Sequence, residues 1–546
     1  MQPIIKKIVD AKEALEKISD NAIVAVSGFN MATAPDYLLR KLYELYESTG
    51  HPQNLFIESD TFPGAPGRGI DFIAEKIYKD PDQKFIRGVL MPFLGWSQWL
   101  QKLVLENRIE AYSWSIGIAA YWFREIAAGR PGLLTKVGLY TFLDPRIDEA
   151  CLNELARKRR TCKVHLIKID GNEYLFYQAP KPQVALIRGT TSDEIGNITM
   201  EKEGIFGTVL GITQATKAQP NPGIVIAQVE RISRFGSLHP QLVRVPGPLV
   251  DYVVISPSEY HWQSGSIEFD PRISGTIIPS FAPELIPRME LSVEKVIARR
   301  IVIELVELIK KLNRPLIINL GIGIPAYVPN IAFEENVLDF IYTTVEAGPW
   351  GGIALKGIDF GVSIGPFAII PMPDQFSLYE GGIIDAAALG FLQVDSEGNV
   401  NPSMLPDRMP GPGGFPVIAA GSPRIFFSGE FTAGKRAIKV VDGKLVIQDD
   451  GPINKFVKKV YKIVFNGKIA IDANKEILYI TERAVFRLSR NGLILEEIAP
   501  GIDLEKHILG RMDFKPIISP KLKEMDKRLF KEKPMMLSEE LKILFK

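Results

Sequence analysis

The residues best placed to do chemistry lie in 341–366, IYTTVEAGPWGGIALKGIDFGVSIGP. A β-branched run, Ile341 to Val345, predicts a strand, and Glu346 stands where it ends. Gly348, Gly351 and Gly352 follow. Glycines directly after a carboxylate let a large ligand approach the backbone and keep the acid uncrowded. The C-terminal ends of strands are where open α/β sheets place their sites. Taken alone, the same residues also fit a solvated glutamate in a turn.

A second candidate is GPGGF, Gly411 to Phe415. Successive glycines can present backbone N–H groups as a nest for an oxyanion or phosphate, or form a plain surface turn. GIGIPA (321–326) satisfies the loose dinucleotide pattern GxGxxA after a strand, with Pro325 awkwardly inside the loop. SGEFTAGKR has the glycines and Lys435 of a phosphate loop, but Arg436 stands where Ser or Thr would meet magnesium. That excludes a nucleotide phosphate loop there. DEIGNIT (193–199) and DSEGNVN (395–401) lack the alternating carboxylates of a calcium loop and read as turns between strands. The histidines, 51, 165, 239, 261 and 507, show no metal-ligand spacing, and no metal is expected. His261, beside Trp262, reads as a packing residue.

These candidates need positioning elements. AIVAVSG (22–28) reads as a buried strand, and DYLLRKLYELYES (36–48) as a helix. PLIINLG (315–321) and AYVPNIAF repeat the event. Such β-loop-α units predict an α/β fold of parallel sheets flanked by helices. The turns at Asp193 and Asp395 are each followed by a strand ending in glutamate, Glu230 and Glu430, 37 and 35 residues on. Two related halves explain this; so does the general abundance of Asp/Gly/Asn turns. A Pro- and Ser-rich stretch precedes the helical pattern SVEKVIARRIVIELVELIKKL. The expected division is residues 1–270, a linker 271–291, and residues 292–546. The N-terminal MQPIIKKIVDAKEALEKI reads as an amphipathic helix, and the lysine-rich chain from about 515 as a docked or mobile arm.

The chain has 546 residues, 65 Lys+Arg against 64 Asp+Glu, and a net charge of +1. This gives no electrostatic footprint for nucleic acid or an anionic membrane. Two cysteines, Cys151 and Cys162, form no disulfide framework. With no signal peptide pattern and no long apolar run, the expected location is cytoplasmic.

The run VEAGPWGGIALKGIDFGVSI resembles the active-site segment of the family I coenzyme A transferases. The chain is similar to their single-chain acetate/propionate type, with alpha- and beta-subunit-like halves fused. The resemblance extends to YLFYQAPKPQVALIRGTTSDEIGNITMEKE, VPGPLVDYVV, YEGGIIDAAALGFLQVDSEGNVN, GPGGF, FSGEFTAG, LYITERAVFRL and LEEIAPGIDLEKHIL, in order along the chain. It implies two open α/β domains related by a pseudo-repeat, the active site between them and the catalytic glutamate in the C-terminal one. It implies Glu346 as covalent nucleophile in CoA exchange between a short-chain acyl-CoA and a small carboxylic acid. CoA is then a substrate and no cofactor is needed, because thioester and anhydride are both activated acyl groups. It implies N–H groups of Gly413 and Gly414 as oxyanion donors, each typically worth about 3–4 kcal/mol. It further implies the loop of Gly321 and Gly323 approaching CoA, and a homo-oligomer. Two departures stand out. EAYSWSIG carries Ile116 where the family has a glutamine that donates to the substrate, and isoleucine cannot donate. SGFNMATAPD lacks the usual second and third glycines. An acyl-CoA-binding protein on the same scaffold is the alternative that Ile116 raises; an NAD-dependent oxidoreductase rests on GIGIPA alone.

Overall fold

The computed structural model describes residues 7–279, 286 and 288–542. The predicted linker 271–291 and the first six residues of the predicted N-terminal helix lie partly or wholly outside the described residues. The chain forms two compact units. The first takes Met1–Pro279, Glu346–Ser377 and Leu405–Val417; the second takes Ser280–Val345, Leu378–Met404 and Ile418–Lys546.

The first unit is built on seven strands: β1 (Ile23–Val26), β2 (Leu55–Glu58), β3 (Ile86–Leu90), β4 (Glu110–Tyr112), β5 (Val184–Arg188), β6 (Ile224–Val229) and β7 (Tyr252–Ile255). They lie in the order β7-β6-β5-β1-β2-β3-β4, every neighbouring pair parallel. β1, β2 and β5 are buried at every position; β1 is apolar throughout, and β2 and β5 are apolar up to a buried charged residue at the C-terminal end, Glu58 and Arg188.

In the second unit run β8 (Leu316–Leu320), β9 (Ile341–Thr344), β10 (Ala386–Gly390), β11 (Arg424–Ser428) and β12 (Glu476–Ile480). Their order is β9-β8-β10-β11-β12, again all parallel. This matches β2-β1-β5-β6-β7 strand for strand. Three strands extend the second sheet: β13 (Ala484–Ser489) and β14 (Gly492–Ile498) antiparallel, then β15 (Ile517–Glu524).

The predicted repeat also holds at the level of individual hydrogen bonds. Asp193 Oδ1 accepts from the N–H groups of Ile195 and Asn197, and Asn197 Oδ1 accepts from Gly247 N–H at 2.7 Å. Asp395 Oδ1 accepts from Glu397 and Asn399, and Asn399 Oδ1 from Gly467 N–H at 3.0 Å. Both DxxGN segments are therefore Asx turns, as read, with the asparagine clasping a later part of its own unit.

Helix α1 (Asp36–Thr49) follows β1, as its periodicity predicts. The long helix Val293–Leu312 begins at Ser292, whose side chain accepts from Lys295 N–H at 3.2 Å, and ends on Asn313 at φ 52°. Its apolar face enters a core with Leu316, Ile318, Val485, Leu529, Phe530, Leu537 and Leu541. The same helix buries Arg299, whose guanidinium donates to the carbonyls of Leu529, Lys531 and Lys533. The lysine-rich tail is thus docked through its backbone and apolar residues.

The N-terminal segment departs from the reading. Among the described residues of this segment only Ala11–Leu15 is helical, capped by Asp10. Lys7 to Val9 lie along β7, with Val9 N–H donating to Val253 O and Val253 N–H to Lys7 O. Open backbone groups on a sheet edge prevail over a helical pattern.

Candidate active site

The reading placed Glu346 in the C-terminal domain. The structure groups Glu346–Ser377 with the first unit; this stretch is a long hairpin held to that unit by side-chain and backbone hydrogen bonds. Pro349–Trp350 pairs with Ala368–Ile369, and Ile353–Ala354 with Ser363–Ile364. At its tip, Asn30 Nδ2 donates to the carbonyls of Ile358 and Phe360, and Asp359 accepts from Ser264 Oγ and Ser266 N–H. Near its base, Met372 N–H donates to Gly207 O at 3.1 Å.

The glycines after Glu346 serve this hairpin. A side chain on Gly348, at φ 124°, would run into Ile370 O; one on Gly351 would enter the Phe367 ring; one on Gly352 would strike Ile364 O. The room they make is filled by the chain itself, so the expectation that they admit a ligand is corrected to a packing role.

Glu346 is 8% exposed. No donor among the described residues reaches its carboxylate, and burial alone pushes its carboxyl up to about 8. Its Oε2 lies directly against Gly414, where any side chain would overlap it, and Phe376 closes the same spot, its Cζ 3.0 Å from where a Gly414 Cβ would stand.

Gly411–Gly414 runs past the C-terminal ends of β3 and β4. Leu94 N–H donates to Pro410 O at 2.7 Å, and Gly413 N–H to Pro92 O at 3.0 Å. Gly413 O accepts from Ile116 N–H at 3.0 Å and from Ser115 Oγ at 3.2 Å. The reading offered both Gly413 and Gly414 as oxyanion donors. The Gly413 N–H is committed to Pro92, which leaves that of Gly414, the residue touching the carboxylate.

Ile116 opens helix α2 (Ile116–Ala127), and its side chain is buried. The next residue, Gly117, lies against Phe376 and Val417. Two residues before Ser115 is Ser113, fully buried, its hydroxyl without a partner and 2.5 Å from where a Gly411 side chain would begin. Sequence reasoning missed Ser113 and Phe376. Phe376 lies 30 residues beyond Glu346 and carries no local signal, whereas two serines flanking a tryptophan after a strand were visible.

The loop after β1 replaces glycines with strained residues. Asn30 and Thr33 take φ values of 54° and 57°. Buried Arg188 holds the loop, donating to Met31 O at 2.9 Å and Ala34 O at 3.1 Å while pairing with Glu203 at 2.6 Å. In the second unit Gly321 N–H donates to Ala388 O at 2.9 Å, and Gly323 turns at φ 92° with open space on its Cβ side. A 3-10 turn, Ile324–Tyr327, precedes helix Val328–Glu334.

The remaining candidates are structural. His261 accepts or donates to Ser256 Oγ at 2.7 Å, and burial together with Arg188 and Lys202 pushes its pKa down to about 2. It is a neutral packing residue. After Gly434 and Lys435 the chain enters a strand, Ala437–Val441, rather than the helix a phosphate loop requires. No helix among the described residues is long and apolar enough to cross a membrane.

A coenzyme A transferase family model matches residues 8–256. The chain is 38% identical over 533 residues to caffeate CoA-transferase of Acetobacterium woodii, covering 96% of this chain and 98% of that protein. It is 38% identical over 528 residues to acetate CoA-transferase YdiF of Escherichia coli K12, covering 96% and 95%. The crystal structure of the E. coli O157:H7 acyl-CoA transferase YdiF as a thioester complex with CoA superposes with a TM-score of 0.86 at 36% identity, covering 98% of this chain and 99% of that one. With this likeness running through both units, the chain belongs to the coenzyme A transferase family, in its single-chain branch, and is a CoA-transferase acting between an acyl-CoA and a carboxylate.

Proposed function

We propose that the chain exchanges CoA between a short-chain acyl-CoA and a carboxylic acid, in ping-pong fashion, through a glutamyl-CoA thioester on Glu346. The observation that carries this is a buried carboxylate that no donor among the described residues reaches, lying against Gly414 in the glycine loop. Such a carboxylate is more basic than one in water and a better nucleophile once ionised.

Glu346 attacks the acyl carbonyl. The carbon–sulfur bond breaks, giving a mixed anhydride and CoA thiolate. The thiolate then attacks the glutamyl carbonyl of that anhydride, forming the glutamyl thioester and releasing the first acid as its carboxylate. A second carboxylate attacks the thioester and the same steps run in reverse. Each attack places negative charge on a carbonyl oxygen, and the Gly414 N–H is the donor positioned to meet it. In the second unit, Gly321 and Gly323 give a backbone surface on which CoA can lie closely.

The test is peptide mass spectrometry after incubation with acetyl-CoA, followed by borohydride reduction. A CoA adduct, or conversion of the Glu346 carboxyl to an alcohol, supports the thioester. If neither acetyl-CoA nor a panel of longer and branched acyl-CoAs modifies that peptide, the chain is an acyl-CoA-binding protein on a transferase scaffold.

A further inference from the structure

The parallel strands of the second unit end along one edge, the usual ligand edge of an open α/β sheet. Phe391 follows β10, Gly429 follows β11, and Glu482 lies just beyond β12. Lys455 reaches this edge from a short strand, Ile453–Asn454, paired with Thr432–Ala433. Its carbonyl accepts from Val394 N–H at 2.9 Å, which fixes the backbone.

The Lys455 ammonium stands 4.0 Å over the Phe391 ring and 2.8 Å from where a Gly429 Cβ would be. The residue is 8% exposed, yet among the described residues no hydrogen-bond acceptor or ion-pair partner meets the amine. Glu430 and Glu482 act on it only through their fields. Both are otherwise engaged: Glu430 with the Arg436 guanidinium, and Glu482 with Arg483 at 2.7 Å and Phe431 N–H at 2.9 Å. Buried cations in proteins are normally paired. Burial pushes this one down to about 8, so it still carries its charge at neutral pH. The loop of Gly321 and Gly323 borders the same edge: Gly321 bonds to Ala388 within β10, and Ile322 O lies 3.6 Å from the Cβ position of Gly390, the last residue of β10.

We propose that Lys455 is a substrate-binding residue whose ammonium takes an anionic oxygen at this strand edge, beside Phe391 and Gly429. The proposal rests on the transferase reading, which supplies two sources of such an oxygen, the phosphates of CoA and the carboxylate of the acid.

The experiment compares wild type, Lys455→Met and Gly429→Ala, the last placing a methyl group 2.8 Å from the present position of the ammonium, close enough to displace it. KM is measured for an acyl-CoA, for the matching acyl-pantetheine, which has no phosphates, and for the acid. A tenfold or larger rise in KM for acyl-CoA alone, with kcat changed less than twofold, identifies the phosphates. A like rise confined to the acid identifies the carboxylate. Unchanged KM values for all three overturn the proposal and leave Lys455 a packing residue. Separately, inorganic phosphate and acetate are titrated in a thermal-shift assay. At least one should raise the wild-type Tm and leave that of Lys455→Met unmoved; equal shifts, or none in either protein, overturn the proposal. This assay needs no turnover, so it reads Lys455 even if the transferase reading fails. Should Lys455→Met not fold, Gly429→Ala carries both measurements.

Discussion

The Oε2 atom of Glu346 occupies the place where a side chain on Gly414 would begin. Glu346 and the glycine loop are therefore parts of one object, although 67 residues separate them in sequence. Gly414→Ala should push the carboxylate aside and lower kcat/KM for CoA exchange about a hundredfold or more, since an ångström of misplacement costs that much. Gly413→Ala is the control. Its φ of 60° costs about 1–2 kcal/mol of stability, but its Cβ would meet open space. Activity within tenfold of wild type is expected there. Equal losses in the two variants would sink this account of the contact.

Glu346→Gln should abolish exchange and the covalent adduct while stabilising the protein. The folded-state carboxyl is raised to about 8, against about 4.3 in an unfolded chain. A raised acid favours the protonated folded form, so stability is intact below about pH 4 and is lost as pH climbs to about 8. The variant escapes this loss. Its advantage over wild type should be near zero at pH 4.5 and reach about 3 kcal/mol by pH 7. Urea unfolding across that range checks the sign. In wild type, single-turnover thioester formation should quicken over pH 6–8 as the nucleophile ionises; a flat profile would place its pKa in the ordinary carboxylate range.

How much of this was legible beforehand follows from the range of the interactions. β1, β8 and β11 announce themselves because strands buried on both faces are short, mostly apolar runs without alternation. The Asp193 and Asp395 turns are legible because an Asx turn is made from residues two and four apart. Glu346 was legible as a carboxylate at a strand end. The residues that gather around Glu346 and the Gly411–Gly414 loop beside it were not. Pro92, Ser113, Phe376 and Gly414 come from four separate segments, and only folding brings them together. The glycines after Glu346 were read correctly as room and wrongly as room for a ligand, since their occupants, Ile364, Phe367 and Ile370, sit on the returning arm of the hairpin. Nothing in a local window could show that the arm returns.

Arg188 should prove the main support of the loop after β1. Arg188→Met leaves Glu203 buried and unpaired and frees two loop carbonyls, for an expected loss of about 3–5 kcal/mol by chemical denaturation. Thr33→Gly tests the strain that Arg188 holds. A β-branched residue in the left-handed region costs about 1–3 kcal/mol, so the glycine variant should be as stable as wild type or more so. A loss beyond about 2 kcal/mol would mean that the Thr33 hydroxyl, buried without a partner, has a bound one in solution.

The paired Asx turns predict paired effects. Asn197→Ala removes the acceptor for Gly247 N–H, and Asn399→Ala that for Gly467 N–H. Each variant should lose about 1–3 kcal/mol, and hydrogen exchange should quicken at Gly247 in the first and at Gly467 in the second. Protection unchanged at either glycine would refute its clasp.

The interleaving of the two units bears on biosynthesis. The first unit draws on residues up to Val417, so a ribosome that has made everything through Val345 has not yet supplied the hairpin that begins at Glu346 or the glycine loop beside it. The N-terminal sheet can form early, but Glu346 joins its unit only after β8 and β9 have been translated. A chain truncated at the proline-rich stretch would emerge as a sheet without Glu346, and a separately expressed remainder would carry Glu346 without the N-terminal sheet.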